Sequence, residues 1–353
     1  MSILFAILLF SLLIFVHELG HFLAAKASGV QVNEFALFMG PAIFKKKIGE
    51  TTYSLRCIPI GGYCAMEGEN DDSDSPRSFQ KAKWWKRLII LVAGAAMNFL
   101  AGLIIITIVL ANCEGYIAPE LSLVEDWSSL AGEGGLQAGD TIVKLDGKRI
   151  DIYQDFALAT VLMEDGNYDI TVMRDGKKVE LSDVPMIRKE IKQEDGTTQM
   201  LYGLSFTWKE NTASSVVKRI WPTAMSYVDS VIVSLKMLFT GQAGFTDMSG
   251  PVGIVDMMSD TAAAAPSFKD ALIGMLDFGG LIAINLAVMN LLPVPALDGG
   301  RVAGLLIVGT IQRITKKKLD PKYEGYVHAV GMLLLLALMA VIMFKDILFI
   351  FKR

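Results

Sequence analysis

The sequence predicts a polytopic α-helical membrane protein with four transmembrane helices, a membrane-associated β-hairpin element and one inserted β-rich domain. Hydrophobic residues make up 52% of its 353 residues and charged residues only 20%, a balance that is typical of integral membrane proteins. Four apolar segments are long enough to cross a bilayer, and a charged, turn-rich segment separates the second from the third. The net charge of −4 is too small to indicate a nucleic-acid partner, and three cysteines without a Cys-x-x-Cys pair predict no disulfide framework.

The predicted spans and the segments between them divide the whole chain. Each apolar run, as a helix rising about 1.5 Å per residue, can cover a hydrocarbon core of ~30 Å. The transmembrane helices are expected at 1–27, 88–113, 269–297 and 327–349, and the segments between them are 28–87, 114–207, 208–268 and 298–326.

Basic residues orient these spans. Residues 26–87 contain ten Lys or Arg and residues 301–322 contain six, whereas none precedes the first span. By the positive-inside rule both segments are cytoplasmic, so 298–326 is a cytoplasmic loop, while both chain ends and 114–207 lie on the outer side.

The cytoplasmic segment 28–87 has the pattern of short strands. Ile43–Ile48 and Thr51–Leu55 predict a hairpin that turns at Gly49-Glu50, and further breaks are expected at Gly40-Pro41 and Gly61-Gly62. The stretch around Gly61-Gly62 is too apolar for a solvated loop. A β-element at the membrane surface, or within a cavity lined by protein, fits it better.

The segment 114–207 is charged and turn-rich. Within it, Leu130–Ile150 resembles the central signature of a PDZ domain, with a strand over Asp140–Leu145 and a turn at Asp146-Gly147. A later hairpin is expected to turn at 174–177. PDZ domains bind extended peptides by adding a strand to an exposed sheet edge. A PDZ-shaped plug that binds nothing and only blocks access is an equal alternative.

The segment 208–268 combines an interrupted apolar run with turn-rich and small-residue stretches. Residues 220–239 are long enough to span, but Pro222, Asp229 and Lys236 interrupt them, so an amphipathic helix in the outer interface is expected. A turn-rich element at 249–254 and a linker of small residues follow.

The sequence Phe15-Val16-His17-Glu18-Leu19-Gly20-His21 contains a His-Glu-x-x-His motif within the first apolar run. On a helix, His17 and His21 stand one turn apart on one face, the spacing that lets two imidazoles bind one Zn²⁺. Glu18 projects to the side, where it could act on the attacking water without ligating the metal. Ionisable groups inside a span indicate a functional site.

Two imidazoles leave a tetrahedral zinc short of protein ligands, and Asp277, Asp298 and His328 are the remaining candidates at membrane depth. Asp298 is favoured because it follows the helix break at Pro293-Val294-Pro295 and lies on the same side as His17. Asn98, in the second span, is expected to make a helix–helix hydrogen bond, with a role in a site as the alternative.

Taken together, these motifs resemble those of the bacterial site-2 proteases, the RseP-type intramembrane zinc metalloproteases with a PDZ domain. The resemblance covers nearly the whole chain. It is carried by the PDZ-like segment and by these motifs: His17–His21, Pro59–Tyr63 with Gly68-Glu69, Gly250–Ile254 and Asn290–Gly300.

The resemblance implies zinc bound by His17, His21 and Asp298, with Glu18 as the general base. It further implies that a β-hairpin presents the substrate as a strand, with Asn290, Pro293, Gly61 and Gly62 as substrate-binding residues. The expected substrates are single-span membrane proteins, such as anti-sigma factors or leftover signal peptides, in a bacterial cytoplasmic membrane. The active site would lie near the cytoplasmic side and the PDZ domain outside.

Two other functions compete with this one. A non-catalytic adaptor of the same fold would bind clients through its PDZ domain, but it has no chemical need for Glu18. A membrane zinc protease that cuts soluble or prenylated chains shares the first motif but does not account for the PDZ-like segment or for Leu297-Asp298-Gly299.

Overall fold

A computed structural model describes most of the chain, and the described residues form two compact units. One unit comprises Met1–Ile106 and Ala243–Arg353, and the other comprises Thr107–Gln242. The described residues are 2–69, 73–132, 135–161, 163–192, 197–244, 250–315 and 322–352. Part of the PDZ-like signature (133–134), the first residue of the predicted turn-rich element (249) and part of the predicted cytoplasmic loop (316–321) lie outside them.

The elements alternate between long helices and two groups of strands. In chain order the helices are α1 (Ser2–Ser28), α2 (Trp84–Asn112), α3 (Tyr153–Val161), α4 (Ala213–Thr240), α5 (Pro251–Ala264), α6 (Phe268–Asn290), α7 (Asp298–Thr315) and α8 (Lys322–Lys352). The strands are β1 (Val32–Ile48), β2 (Thr51–Met66), β3 (Gly115–Val124), β4 (Thr141–Leu145), β5 (Lys148–Arg149), β6 (Gly166–Arg174), β7 (Lys177–Met186), β8 (Lys189–Lys192), β9 (Thr198–Leu201) and β10 (Leu204–Glu210).

Among the described residues, four helices are long and apolar enough to cross a membrane. They are Ser2–Ser28, Trp84–Asn112, Phe268–Asn290 and Ala329–Asp346, which agrees with the number of spans predicted. Helix α4 has 28 residues but does not belong to this set. It begins at the capping box of Thr212 and Ser215, and Trp221 and Phe239 are exposed along it.

Strands β1 and β2 form a ribbon that folds back on itself. Ile48 pairs with Thr51 across the Gly49-Glu50 turn, as predicted, but the strands continue through Gly40-Pro41 and Gly61-Gly62 instead of ending there. Residues 34–37 pair with both 52–55 and 62–65. Positive φ angles at Phe38, Gly40 and Gly61 bend the chain without ending the ladder.

The second unit is built on a sheet with the strand order β10-β3-β4-β6-β7, and β5 pairs with β4 at its side. Its core includes Leu121, Ile142, Leu145, Ile170 and Val172, all at most 1% exposed. The predicted turns at 146–147 and 175–176 have two consecutive residues with positive φ, the geometry of tight hairpin turns.

Two segments expected to be irregular are helical. Helix α5 occupies most of the predicted turn-rich element and linker. Gly250 is its N-cap and Pro251 its first residue, a position that proline favours. Asp346 of α8 stabilises this end by accepting hydrogen bonds from Gly250 N at 2.8 Å and from Gly253 N at 3.0 Å. Helix α7 occupies the first part of the predicted cytoplasmic loop.

Candidate metal centre

Three side chains of the first unit converge on one point. His17 Nε2 and His21 Nε2 each lie 3.2 Å from Asp298 Oδ2, and the two Nε2 atoms lie 3.2 Å from each other. The side chains of His17, His21 and Asp298 are 14%, 10% and 19% exposed, respectively, so water has little access to them. The structure therefore brings together the three residues that the sequence analysis selected as ligands.

The triangle of ligand atoms has the size that a zinc ion requires. Tetrahedral zinc with bonds of ~2.0–2.1 Å to nitrogen and oxygen holds its ligand atoms ~3.3 Å apart. Asp298 Oδ2 is buried, yet it makes no hydrogen bond to any described residue. A buried carboxylate oxygen without a hydrogen bond is unfavourable unless a cation balances it.

Each ligand is placed by a local feature of the chain. His17 and His21 are one turn apart in α1, which puts both rings on one face. Helix α6 ends at Asn290 before the two prolines, and a tight loop follows in which Val294 N donates to Leu292 O at 2.7 Å. Ala296 has a φ of 80°, and α7 begins at Asp298. The break predicted at the prolines therefore turns the chain so that Asp298 faces α1.

Helix α2 supports the two histidines from behind. His21 Nδ1 donates to the backbone carbonyl of Ile90 at 2.8 Å, which leaves Nε2 free to bind a metal. Gly94 lies against both imidazoles, and a Cβ there would come within 2.7 Å of His17 Cε1. The sequence analysis missed both residues, because a backbone acceptor and a glycine in an apolar helix carry little signal of their own.

Glu18 lies beside the ribbon of β1 and β2. A Cβ on Gly62 would lie 3.2 Å from Glu18 Cγ and 3.2 Å from Ile14 Cγ2. A side chain at position 62 would press against Glu18 and Ile14, so glycine lets the strand pass close to Glu18. Gly62 was expected to bind substrate, and the structure places it next to the expected general base.

The other expected site residues are not in the cluster. Asn290 is half-buried at the end of α6, and Pro293 is exposed in the loop that leads to Asp298. Gly61 has a φ of 73° and lies against the side chain of Met39. Asp277, the rival third ligand, is exposed on α6 and outside the cluster. The side chain of His328 lies outside the described residues.

An ion pair that was not predicted links the end of the ribbon to α7, which follows the loop 291–297 (the ligand loop). Arg301, in the first turn of α7, pairs with Glu69 just beyond β2. Glu69 Oε2 also accepts a hydrogen bond from Met66 N at 3.4 Å. The end of β2 is thereby linked to the helix that begins with Asp298.

The chain is similar to metalloproteases over nearly its whole length. The family model described as Peptidase family M50 matches residues 5–338. A Clostridium perfringens protein whose name describes it provisionally as a zinc metalloprotease is 37% identical over 99% of both chains. The Bacillus subtilis protein named Regulator of sigma-W protease RasP is 27% identical over 97% of both chains. The Bacillus licheniformis zinc metalloprotease RasP is 28% identical over the same share of each.

The family match covers far more than half of the chain, and it includes the candidate metal cluster, the ribbon and the loop before Asp298. The identity to the clostridial protein extends over both compact units. The chain therefore belongs to peptidase family M50, the site-2 protease family.

Proposed function

We propose that this protein is an intramembrane zinc metalloprotease that hydrolyses peptide bonds in single-span membrane proteins. The observation that carries the proposal is the triangle of His17, His21 and Asp298, with candidate ligand atoms 3.2 Å apart. Both histidines lie on α1, an apolar helix of spanning length. The names of the relatives, which describe zinc metalloproteases, support the choice of metal.

His17, His21 and Asp298 would hold the zinc ion through two Nε2 atoms and one carboxylate oxygen. When bound, zinc supplies a Lewis acid that makes water nucleophilic near neutral pH and polarises the scissile carbonyl. Glu18 takes a proton from the attacking water and returns it to the leaving amine nitrogen. Ile90 O keeps His21 in the tautomer that leaves its Nε2 available.

The ribbon would hold the substrate in extended form beside Glu18. Among the described residues, Ile58 and residues 62–66 pair with β1 and with no other strand, so the other edge of this segment would have backbone groups available. An extended peptide can add to such an edge through main-chain hydrogen bonds. Gly61 and Gly62 keep this edge free of side chains, and Asn290 and Pro293 would contribute further contacts from the ligand loop.

Single-span membrane substrates suit a regulatory or a housekeeping protease in a bacterial cytoplasmic membrane. The name of one relative, "Regulator of sigma-W protease RasP", favours anti-sigma factors as one substrate class. Leftover signal peptides are a second class. The basic segments favour an active site near the cytoplasmic side and an outer position for the sheet β10-β3-β4-β6-β7. That sheet would be the PDZ domain, with β10 as an edge strand able to accept a peptide ligand.

The decisive experiment separates a protease from a client-binding adaptor. Purified protein and a Glu18→Gln variant are incubated with a panel of single-span test substrates, with and without a zinc chelator. We expect the variant to keep its zinc but to cleave at least 10²-fold more slowly, the usual scale for loss of a general base.

Glu190→Gln is the matched control, because Glu190 is exposed on β8 and should have no effect. Normal cleavage by Glu18→Gln would refute the assigned mechanism. A wild-type protein that binds clients but cleaves none of them would support the adaptor instead.

A further inference from the structure

Asn98, in the middle of α2, is a buried amide that points at the metal-binding cluster. It is 1% exposed, and its Nδ2 lies 3.4 Å from His17 Nδ1. Its Oδ1 is buried and has no hydrogen-bond partner among the described residues. A buried amide oxygen left unpaired is unfavourable, so this arrangement calls for a physical reason.

The chemistry of His17 supplies that reason. Its Nε2 faces His21 and Asp298, so Nδ1 must carry the ring proton whenever Nε2 binds a metal. A protonated Nδ1 is a donor and needs an acceptor, which the NH₂ group of Asn98 is not. Rotating the amide by 180° brings Oδ1 to His17 and pairs the orphaned oxygen. The two ends of an amide are assigned only from such networks.

One face of α2 then holds both histidines. Ile90, Gly94 and Asn98 follow one another at intervals of four residues, so they lie along a single face of the helix. The carbonyl of Ile90 accepts from His21 Nδ1 at 2.8 Å, and Asn98 meets the same nitrogen of His17. Gly94, between them, leaves room for both rings.

We propose that Asn98 is a positioning residue for the metal centre: its amide oxygen accepts the Nδ1–H of His17 and fixes both the ring orientation and the tautomer. The proposal builds on the proposed function, because it assumes that His17 Nε2 binds the metal. Acceptors behind a metal-bound histidine commonly change metal affinity by about 10–100-fold when they are removed.

The test compares two replacements of similar size in the full-length protein. Asn98→Leu removes the acceptor, and Asn98→Asp retains one in the carboxylate–histidine arrangement found at many zinc sites. Zinc affinity is measured by competition with a chromophoric chelator, and the ligand field by the visible spectrum of the Co²⁺-loaded protein. Asn112→Ala is the control, because Asn112 is exposed on the same helix and its side chain donates to Ile108 O at 2.8 Å.

We expect Asn98→Leu to weaken zinc binding about 10–100-fold and to alter the Co²⁺ spectrum, while Asn98→Asp stays within a few-fold of wild type. Wild-type affinity and spectrum in Asn98→Leu would overturn the proposal. Equal weakening in both variants would also overturn it, because Asn98 would then act through packing alone. Failure of the proposed function would show differently, as the absence of zinc from the wild-type protein.

Discussion

Two aspartates, one in each compact unit, have opposite surroundings. In the sheet unit (Thr107–Gln242), Asp140 is fully buried, and both of its oxygens accept hydrogen bonds. Its Oδ1 accepts from Arg174 Nε at 2.7 Å, and its Oδ2 accepts from Arg174 Nη2 at 2.7 Å and Gln137 N at 2.9 Å. In the membrane unit (Met1–Ile106 and Ala243–Arg353), Asp298 Oδ2 is buried 3.2 Å from two imidazole nitrogens and makes no hydrogen bond to the described residues.

We expect such a difference between a structural carboxylate and the proposed metal ligand. Buried charges persist in proteins when they are paired and hydrogen-bonded, or when they coordinate a metal. Asp140 meets the first condition, and so does Asp346, which accepts two backbone hydrogen bonds at the start of α5. For Asp298, which lies 3.2 Å from two imidazole nitrogens, the proposed zinc would meet the second condition. The partners of a buried aspartate, and not burial alone, therefore point to the site.

The largest effect should come from removing the carboxylate of the proposed metal site. We expect Asp298→Ala to lose most of its bound zinc and all detectable cleavage, because two imidazoles alone hold zinc weakly. Asp277→Ala is the control, since Asp277 is exposed on α6, and it should retain both properties. Metal analysis together with substrate cleavage measures the outcome. The reverse result would require a different third ligand and a different path for α6.

Removing the Asp140 carboxylate should lower stability and leave zinc binding unchanged. Asp140→Ala leaves Arg174, whose side chain is 22% exposed, without its main partner. Loss of one partner of a buried pair costs about 3–5 kcal/mol, and the partial exposure of Arg174 favours the lower end. Hydrogen exchange of the paired strands β4 and β6 would report this loss locally.

The control for that variant is Arg149→Ala, because Arg149 makes an exposed pair with Asp151 and its side chain is 75% exposed. We expect Arg149→Ala to change the free energy of opening, as measured by hydrogen exchange, by less than about 1 kcal/mol. If Asp140→Ala lost zinc while its strands kept wild-type protection, the division between a structural and a ligating aspartate would be wrong.

The sequence allowed prediction of the features that depend on local periodicity. A spacing of four residues on a helix was enough to pair His17 with His21, and two prolines were enough to predict the break before Asp298. Runs of apolar residues predicted the four helices of spanning length. The paired positive-φ turns of the sheet unit were predicted from Asp-Gly dipeptides.

Features that depend on distant partners could not be predicted in this way. Gly250-Pro251 indicates a turn, but a helix starts there because Asp346, far along the chain, satisfies its first N–H groups. The fold of the ribbon depends on a positive φ at Phe38. Bulky residues rarely adopt positive φ, so the residue type gives no indication of this bend. The support that Ile90 gives His21 comes from a backbone carbonyl, and any residue type would supply it.

The smallest effect should come from an exposed carboxylate, which completes the comparison. Glu50, at the ribbon turn, accepts from Lys26 Nζ at 2.5 Å and from Arg77 Nη1 at 2.5 Å. Its hydrogen bond with Arg77, followed by that with Lys26, lowers its pKa from 4.5 to about 2. Because the folded pKa is the lower one, this contribution to stability is present above pH 4.5 and is lost as the pH falls towards 2.

Glu50→Gln has no such titration, so the difference in thermal midpoint between wild type and variant should be constant above about pH 5 and should shrink below it. The difference should be small and should diminish at high salt, because solvent screens an exposed pair. Melting curves of the full-length protein from neutral to acidic pH, at low and high salt, measure it. A difference that persists unchanged down to pH 2 would show that the ion pairs of Glu50 are not its source. In that case packing of the Gly49-Glu50 turn would account for the effect, and the comparison would reduce to the two buried aspartates.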